Sequence, residues 1–166
     1  LNNQSQFYQT ILQTFKNKPF NIILSVGKNT DIDTLGAIPE NIMVRHYVPQ
    51  LEVLEQADVF ITHCGMNSTN EALYFNVPLV MLPVGSDQPM VADRVEELGA
   101  GIQLDLQTVT GEDLMNAVAT VLNDATYRNN MKQIAHSFRE AGGYKAGVDA
   151  ILQFAKKVEQ NIQVES

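Results

Sequence analysis

Two kinds of apolar pattern alternate along the chain. The first is a four-residue spacing of apolar side chains, at Phe7, Ile11 and Phe15, which predicts an amphipathic helix over residues 6–16. The second is short and uniformly apolar, and it predicts buried β-strands. These strands fall at residues 20–27, 41–48, 57–62, 77–83 and 100–105.

The segments between and after the strands carry helix patterns. Helices are predicted at residues 51–56, from about residue 68, and at 87–98, 110–124, 125–141 and 146–160, with a polar loop at 28–41. Strands that are apolar throughout and alternate with helices are typical of a parallel sheet covered on both faces. The sequence therefore predicts an α/β fold with a doubly wound parallel sheet, in a single domain over residues 1–166.

Composition narrows the classes of function. The formal net charge of -8 argues against broad nucleic-acid binding, which needs clustered Lys and Arg. No run approaches the ~18 apolar residues of a membrane span, and the opening "LNNQSQFYQ" lacks the features of a secretory signal. The single cysteine excludes an internal disulfide and fits a reducing compartment. We therefore expect a cytoplasmic protein with no transmembrane segment and no nucleic-acid partner.

Candidate chemistry gathers where the predicted strands end. In doubly wound sheets, ligands bind at the turns that follow the carboxyl ends of the strands. Four such turns carry polar residues that a plain connection does not need, at residues 25–27, 46–50, 62–68 and 82–88. We expect all four to lie on one edge of the sheet.

The turn "THCGMNS" suits a phosphate group. Gly65 permits a tight turn and a close approach of backbone to ligand, and Asn67 and Ser68 are favoured N-cap residues. Free amides and the dipole at a helix N-terminus bind phosphate, and no Lys or Arg lies between residues 46 and 93. His63 is placed to donate a hydrogen bond to a phosphate oxygen.

Structural alternatives remain open for these residues. Ser68 and Glu71 also fit a capping box, and Asp87 fits a helix N-cap as well as a contact to sugar hydroxyls, with Gln88 beside it. Tyr47 suits either core packing or a nucleobase. Cys64 is adjacent to His63, but with no second Cys we expect neither a metal site nor a thiol nucleophile.

The stretch "YVPQLEVLEQADVFITHCGMNSTNEALYFNVPLVMLPVGSDQ", residues 47–88, resembles the donor-binding signature of UDP-dependent glycosyltransferases that act on small molecules. Among these, bacterial macrolide glycosyltransferases are closer in pattern. The resemblance implies the Rossmann-like C-terminal half of a GT-B fold. It also implies an inverting transfer of a hexose from a UDP-sugar, with UDP-glucose as the expected donor, to an acceptor hydroxyl. No metal or other cofactor is implied.

The resemblance assigns roles to individual residues. Near the nucleoside it implies Tyr47, in the place of a Trp that usually stacks on uracil, with the Val48 backbone and Gln50. Glu71 would accept both ribose hydroxyls. Residues implied to contact the diphosphate are His63, Asn67, Ser68 and the backbone around Gly65 and Thr69; residues implied to hold the donor sugar are Asp87 and Gln88.

Three departures from the family pattern qualify these expectations. The chain has no Trp, and an N-terminal acceptor domain, which holds the catalytic base in the family, is absent from this chain. The family's first strand is also missing before the first helix, so we expect unpaired strand edges. We therefore expect a chain that binds donor and is inactive or nearly so when isolated.

The sequence leaves one alternative class of protein open and disfavours another. A stand-alone donor-binding subunit, which needs a separate acceptor or membrane-anchoring partner chain, remains the alternative. A NAD-binding dehydrogenase domain is disfavoured because the sequence lacks G-x-G-x-x-G and the acidic residue that follows it.

Overall fold

The structure is a computed structural model that describes residues 2–140. Within this range, helices and strands alternate as the apolar patterns predict. The helices are α1 (Asn2–Phe15), α2 (Gln50–Gln56), α3 (Met66–Tyr74), α4 (Gln88–Glu97), α5 (Gly111–Asn123) and α6 (Ala125–Glu140). The strands are β1 (Ile22–Ser25), β2 (Ile42–Arg45), β3 (Phe60–Thr62), β4 (Leu79–Met81) and β5 (Gly101–Gln103).

All strand pairings are parallel, and they form two ladders instead of one continuous sheet. One ladder pairs β1 with β2, with Ile22 opposite Ile42, and the other has the order β3-β4-β5, with Leu79 opposite both Phe60 and Gly101. Among the described residues, no ladder joins β1 to β3. The α/β class and the parallel strand pairing are confirmed.

Helices cover both faces of the strands. The residues of β4 alternate between the two sides: Val80 lies in one buried cluster with α1 and α5, whereas Leu79 and Met81 lie in the other with α2, α3, α4 and α6. The first cluster also contains Leu24 and Val44, so α1 and α5 pack against both ladders. A strand buried on both faces has no polar alternation, which is why its sequence is apolar throughout.

The helix boundaries differ from the predictions in three places. Helix α1 begins earlier than residue 6, α3 begins two residues before Ser68, and the predicted loop at 28–41 contains a 3₁₀ turn at Ile32–Leu35. Helix α4 agrees with its prediction to within a residue at each end. The predicted helix at 146–160 lies outside the described residues. No helix in residues 2–140 is both long and apolar enough to cross a membrane.

Candidate functional site

The connections that follow β2, β3 and β4 meet at the carboxyl edge of the strands. A direct contact between two of them shows this: the side chain of Gln50, which begins α2 after β2, reaches Ser68 in the first turn of α3 after β3. The two ladders are therefore brought together at this edge by side chains. This edge is where a doubly wound fold binds its ligand.

The N-terminus of α3 points unpaired amides at the edge. Its first hydrogen bond runs from the Thr69 amide to the Gly65 carbonyl, at 3.0 Å. The amides of Met66, Asn67 and Ser68 precede this bond and have no partner within the helix. Both Met66 and Asn67 are exposed. The dipole of the helix and these amides together favour an anion.

The N-cap of α3 is Gly65, so the expectation that Asn67 or Ser68 caps the helix is wrong. Asn67 and Ser68 are instead the second and third residues of the helix. This shift also excludes the capping box, because Ser68 stands inside the helix and cannot act as its cap. Glu71 therefore does not take part in the capping box that the spacing of Ser68 and Glu71 suggested.

Glu71 is held by another element instead. The Gln50 side-chain amide donates hydrogen bonds to a carboxylate oxygen of Glu71 and, at 3.3 Å, to the Ser68 hydroxyl. Glu71 and Gln50 are both half-buried. One Glu71 carboxylate oxygen is thereby fixed by Gln50, and this orients the carboxylate group.

The tight turn before α3 is made by Cys64 and not by Gly65. Cys64 is fully buried and has a φ of 66°, the left-handed region that non-glycine residues rarely adopt. Gly65 has φ -61° and ψ 150°, which any residue adopts, so the predicted conformational reason for this glycine is wrong. A Cβ at Gly65 would meet nothing within 4 Å. The space beside Gly65 is therefore open to a ligand.

Thr69 stabilises the turn at Cys64 and Gly65 through its hydroxyl group. Its hydroxyl donates to the Gly65 carbonyl at 2.9 Å and lies 3.4 Å from the Cys64 sulfur. Thr69 is buried and its amide is bonded to Gly65, so neither polar group faces the edge. Burial raises the pKa of the Cys64 thiol, while the Thr69 contact lowers it to a smaller extent. Cys64 is therefore a neutral packing residue at neutral pH.

His63 is anchored to the neighbouring strand end. Its Nδ1 lies 3.1 Å from the Leu82 carbonyl oxygen, and the rest of the side chain is exposed at the carboxyl edge. The contact fixes the orientation of the ring. Sequence reasoning missed it, because a backbone acceptor leaves no signal in the residue types.

Asp87 and Gln88 differ in how they are held. The side-chain oxygen of Gln88 accepts from the amides of Val84 (2.9 Å) and Gly85 (3.4 Å), so this side chain folds onto its own loop. Asp87 is the N-cap of α4, yet its side chain makes no capping hydrogen bond and is exposed. Its carboxylate is left free at the edge.

Tyr47 and Val48 lie on the connection that follows β2. Tyr47 is 62% exposed, so its ring is not part of the core, and Val48 is half-buried. Among the described residues, no group of three or more His, Cys, Asp or Glu side chains is arranged to hold a metal ion.

Comparisons with known proteins identify the family of the chain. Residues 6–140 match the family described as UDP-glucoronosyl and UDP-glucosyl transferase. The chain is 43% identical over 160 residues to the uncharacterized UDP-glucosyltransferase YojK of Bacillus subtilis (strain 168), covering 96% of this chain and 40% of that protein. It is 42% identical over 152 residues to the NDP-glycosyltransferase YjiC of the same strain, covering 92% of this chain and 39% of YjiC.

Solved structures give the same result. The chain resembles the glycotransferase of kitacinnamycin with a TM-score of 0.80 and 36% identity, over 89% of this chain and 38% of that one. It resembles Os79 from O. sativa, solved with UDP and deoxynivalenol-3-glucoside, with a TM-score of 0.69 and 27% identity, over 93% of this chain and 39% of that one. The chain thus spans about 40% of the length of these relatives. It belongs to the UDP-glucoronosyl and UDP-glucosyl transferase family.

Proposed function

We propose that this chain is the donor-binding part of a glycosyltransferase, and that its carboxyl edge binds the nucleotide diphosphate of a UDP-sugar. The observation that carries the proposal is the set of polar groups around the start of α3. Three unpaired amides, the open space at Gly65 and the oriented carboxylate of Glu71 all lie on one helix turn or the next. A diphosphate joined to a ribose needs anion donors followed by an acceptor for hydroxyls, and this turn offers both.

Each part of the donor has a group that suits it. Tyr47 provides an exposed ring for uracil, next to the Val48 backbone. His63, Asn67, Ser68 and the amides after Gly65 suit the diphosphate, and the Glu71 carboxylate suits the ribose hydroxyls. The free carboxylate of Asp87, with the amide nitrogen of Gln88, suits the hydroxyls of a hexose, and we propose glucose. Thr69 acts beneath this surface as a support.

The reaction of the whole enzyme follows from these roles. An acceptor hydroxyl attacks the anomeric carbon as the bond to the diphosphate breaks, so negative charge grows on the departing UDP. The α3 N-terminus stabilises that charge through preorganised donors, and no metal ion is required for this. The base that takes the acceptor proton belongs to an acceptor domain outside this chain. The isolated chain should bind donor and turn over little or none.

Calorimetric titration of the purified chain with UDP tests the proposal, with UMP and NAD as controls. We expect UDP to bind more tightly than UMP, because only UDP carries both phosphates, and NAD not to bind. A Glu71→Gln variant should retain the fold and lose much of the affinity. A well-folded chain that binds none of these ligands would contradict the proposal and would favour a donor-binding subunit that needs a partner chain.

A further inference from the structure

The contact between His63 and Leu82 determines which imidazole nitrogen carries a proton. Leu82 contributes a backbone carbonyl oxygen, which can only accept a hydrogen bond. Since Nδ1 lies 3.1 Å from this oxygen, Nδ1 must be the nitrogen that bears the hydrogen. The second nitrogen, Nε2, is then free to meet a ligand at the carboxyl edge.

The charge of the ring decides what Nε2 can bind. In the neutral ring with a proton on Nδ1, Nε2 carries a lone pair and accepts hydrogen bonds. A phosphate oxygen is also an acceptor, so the two would repel. Only the imidazolium ion, protonated on both nitrogens, donates to Leu82 and to a phosphate at the same time.

The composition of the edge increases the need for this charge. No Lys or Arg lies between residues 46 and 93, which includes every connection after β2, β3 and β4. The diphosphate of a nucleotide sugar is esterified at both ends and carries two negative charges at neutral pH. The amides of α3 supply only partial positive charge.

We infer that His63 binds the donor diphosphate as an imidazolium ion, so that binding of a nucleotide sugar takes up a proton from solution. The Leu82 carbonyl is the positioning group, because it excludes the neutral tautomer that could donate to phosphate. The inference rests on the proposed function of this edge. The proton is taken up when the diphosphate docks and is released to solvent when the nucleotide leaves.

Other titratable groups lie on the segments that surround His63. They are Cys64 and Glu71 on the β3–α3 unit, Asp87 after β4, His46 and Tyr47 after β2, and Lys28 after β1. His46 is a second histidine on these segments, and its Nδ1 also lies 3.1 Å from a carbonyl oxygen, that of Gly27. It is therefore a matched control.

The experiment is calorimetric titration with UDP-glucose, from about pH 6 to about pH 8, in pairs of buffers with different ionisation enthalpies. UDP-glucose is preferred to UDP, whose terminal phosphate itself titrates near pH ~6. We expect net uptake of up to one proton, with affinity falling by up to ~10-fold per pH unit as the pH rises. Nitrogen NMR of the free protein above the titration range should show His63 with its proton on Nδ1.

Two variants separate this role from a structural one. His63→Gln retains an amide donor for phosphate but cannot titrate, so its affinity should not change with pH and its proton uptake should vanish. His46→Gln should keep the wild-type pH profile. Binding that takes up no proton and is independent of pH would overturn the inference and leave the proposed function standing. Failure to bind UDP-glucose at every pH would overturn both.

Discussion

The side-chain amide of Gln50 donates a hydrogen bond to the carboxylate of Glu71, which lies 21 residues further along the chain on a different helix. The same amide reaches Ser68, so one side chain of α2 holds two residues on successive turns of α3. A carboxylate fixed in this way meets its ligand already oriented and loses little rotamer freedom on binding. The contact therefore fixes the orientation of the Glu71 carboxylate before any ligand binds.

Replacing Glu71 should therefore affect binding more than folding. Glu71→Gln removes the charge that we propose accepts two ribose hydroxyls, and we expect UDP affinity to fall by ~10- to ~100-fold, as for loss of hydrogen bonds to a charged group. Stability should change by less than ~1 kcal/mol, because no capping box is lost. Calorimetry and urea unfolding measure the two effects. Glu52→Gln, an exposed change on α2, is the control and should alter neither. A large fall in stability with unchanged affinity would contradict the assigned role.

Gly65→Ala should separate stability from binding in the same way. The backbone of Gly65 is ordinary and its added Cβ would meet no protein atom, so the only folded-state cost is the weaker helix cap that Ala provides. The lower conformational freedom of Ala in the unfolded chain offsets this cost, and stability should change by less than ~1 kcal/mol. UDP affinity should fall at least ~10-fold, because the methyl group occupies the space proposed for the diphosphate.

Gly101→Ala provides the opposite case. A Cβ there would lie 2.6 Å from the Leu79 carbonyl oxygen, inside the β4–β5 ladder. We expect this variant to lose ~1–3 kcal/mol of unfolding free energy by overpacking. If Gly65→Ala were the less stable of the two variants, the space beside Gly65 would not be open. If it bound UDP normally, that space would have no connection with the ligand.

Tyr47 should control affinity for the base. We expect Tyr47→Ala to weaken UDP binding by ~5- to ~10-fold through loss of ring contact, and Tyr47→Trp to strengthen it through a larger stacking area. Because Tyr47 is 62% exposed, thermal unfolding of both variants should match that of the wild type. The comparison to make is UDP against inorganic pyrophosphate: the variants should differ for UDP and agree for pyrophosphate. An equal loss for both ligands would assign Tyr47 to the diphosphate instead.

The thiol of Cys64 should react slowly in the folded protein. Its burial raises its pKa, so at a pH near 8 less of it is thiolate than for a free cysteine, and reagents have no access to it. We expect alkylation by iodoacetamide to be at least ~10-fold slower than in urea-unfolded chain and to accelerate as the pH rises. Intact-mass spectrometry reads this directly, since the sequence has one cysteine. Rapid labelling without unfolding would show that the turn before α3 opens readily.

The pattern of apolar residues predicted the helices and strands of residues 2–140, but not the residue at which α3 begins. Good N-cap residues at Asn67 and Ser68 suggested a later start, whereas the helix begins at Met66 with Gly65 as its cap. Local capping preference is worth ~1 kcal/mol, and here it is outweighed: the Thr69 amide and hydroxyl both donate to the Gly65 carbonyl, which fixes the earlier start. The left-handed residue was misassigned for a similar reason: Cys64 adopts that conformation because its side chain is buried beneath the turn.

The residues proposed for the candidate site were named from the sequence, and the contacts that orient them were not. Gln50 was placed near the nucleoside, but its hydrogen bonds to Ser68 and Glu71 depend on how α2 sits against α3. The partner of His63 is a backbone carbonyl, which every residue type offers equally. Such contacts are set by tertiary packing, so they become visible only when the strand ends are placed side by side.

Because the strands form two ladders, we expect a bound nucleotide to connect parts of the fold that are not joined by strand pairing. Tyr47 follows β2 in one ladder, whereas the α3 N-terminus follows β3 in the other. Within residues 2–140, the two ladders are joined by the packing of α1 and α5 and by the side-chain contacts of Gln50, and no strand pairing links them. A donor that stacks on Tyr47 and places its diphosphate on α3 would span this seam. Binding of such a donor would then link the two ladders, and we expect it to slow hydrogen exchange in both of them.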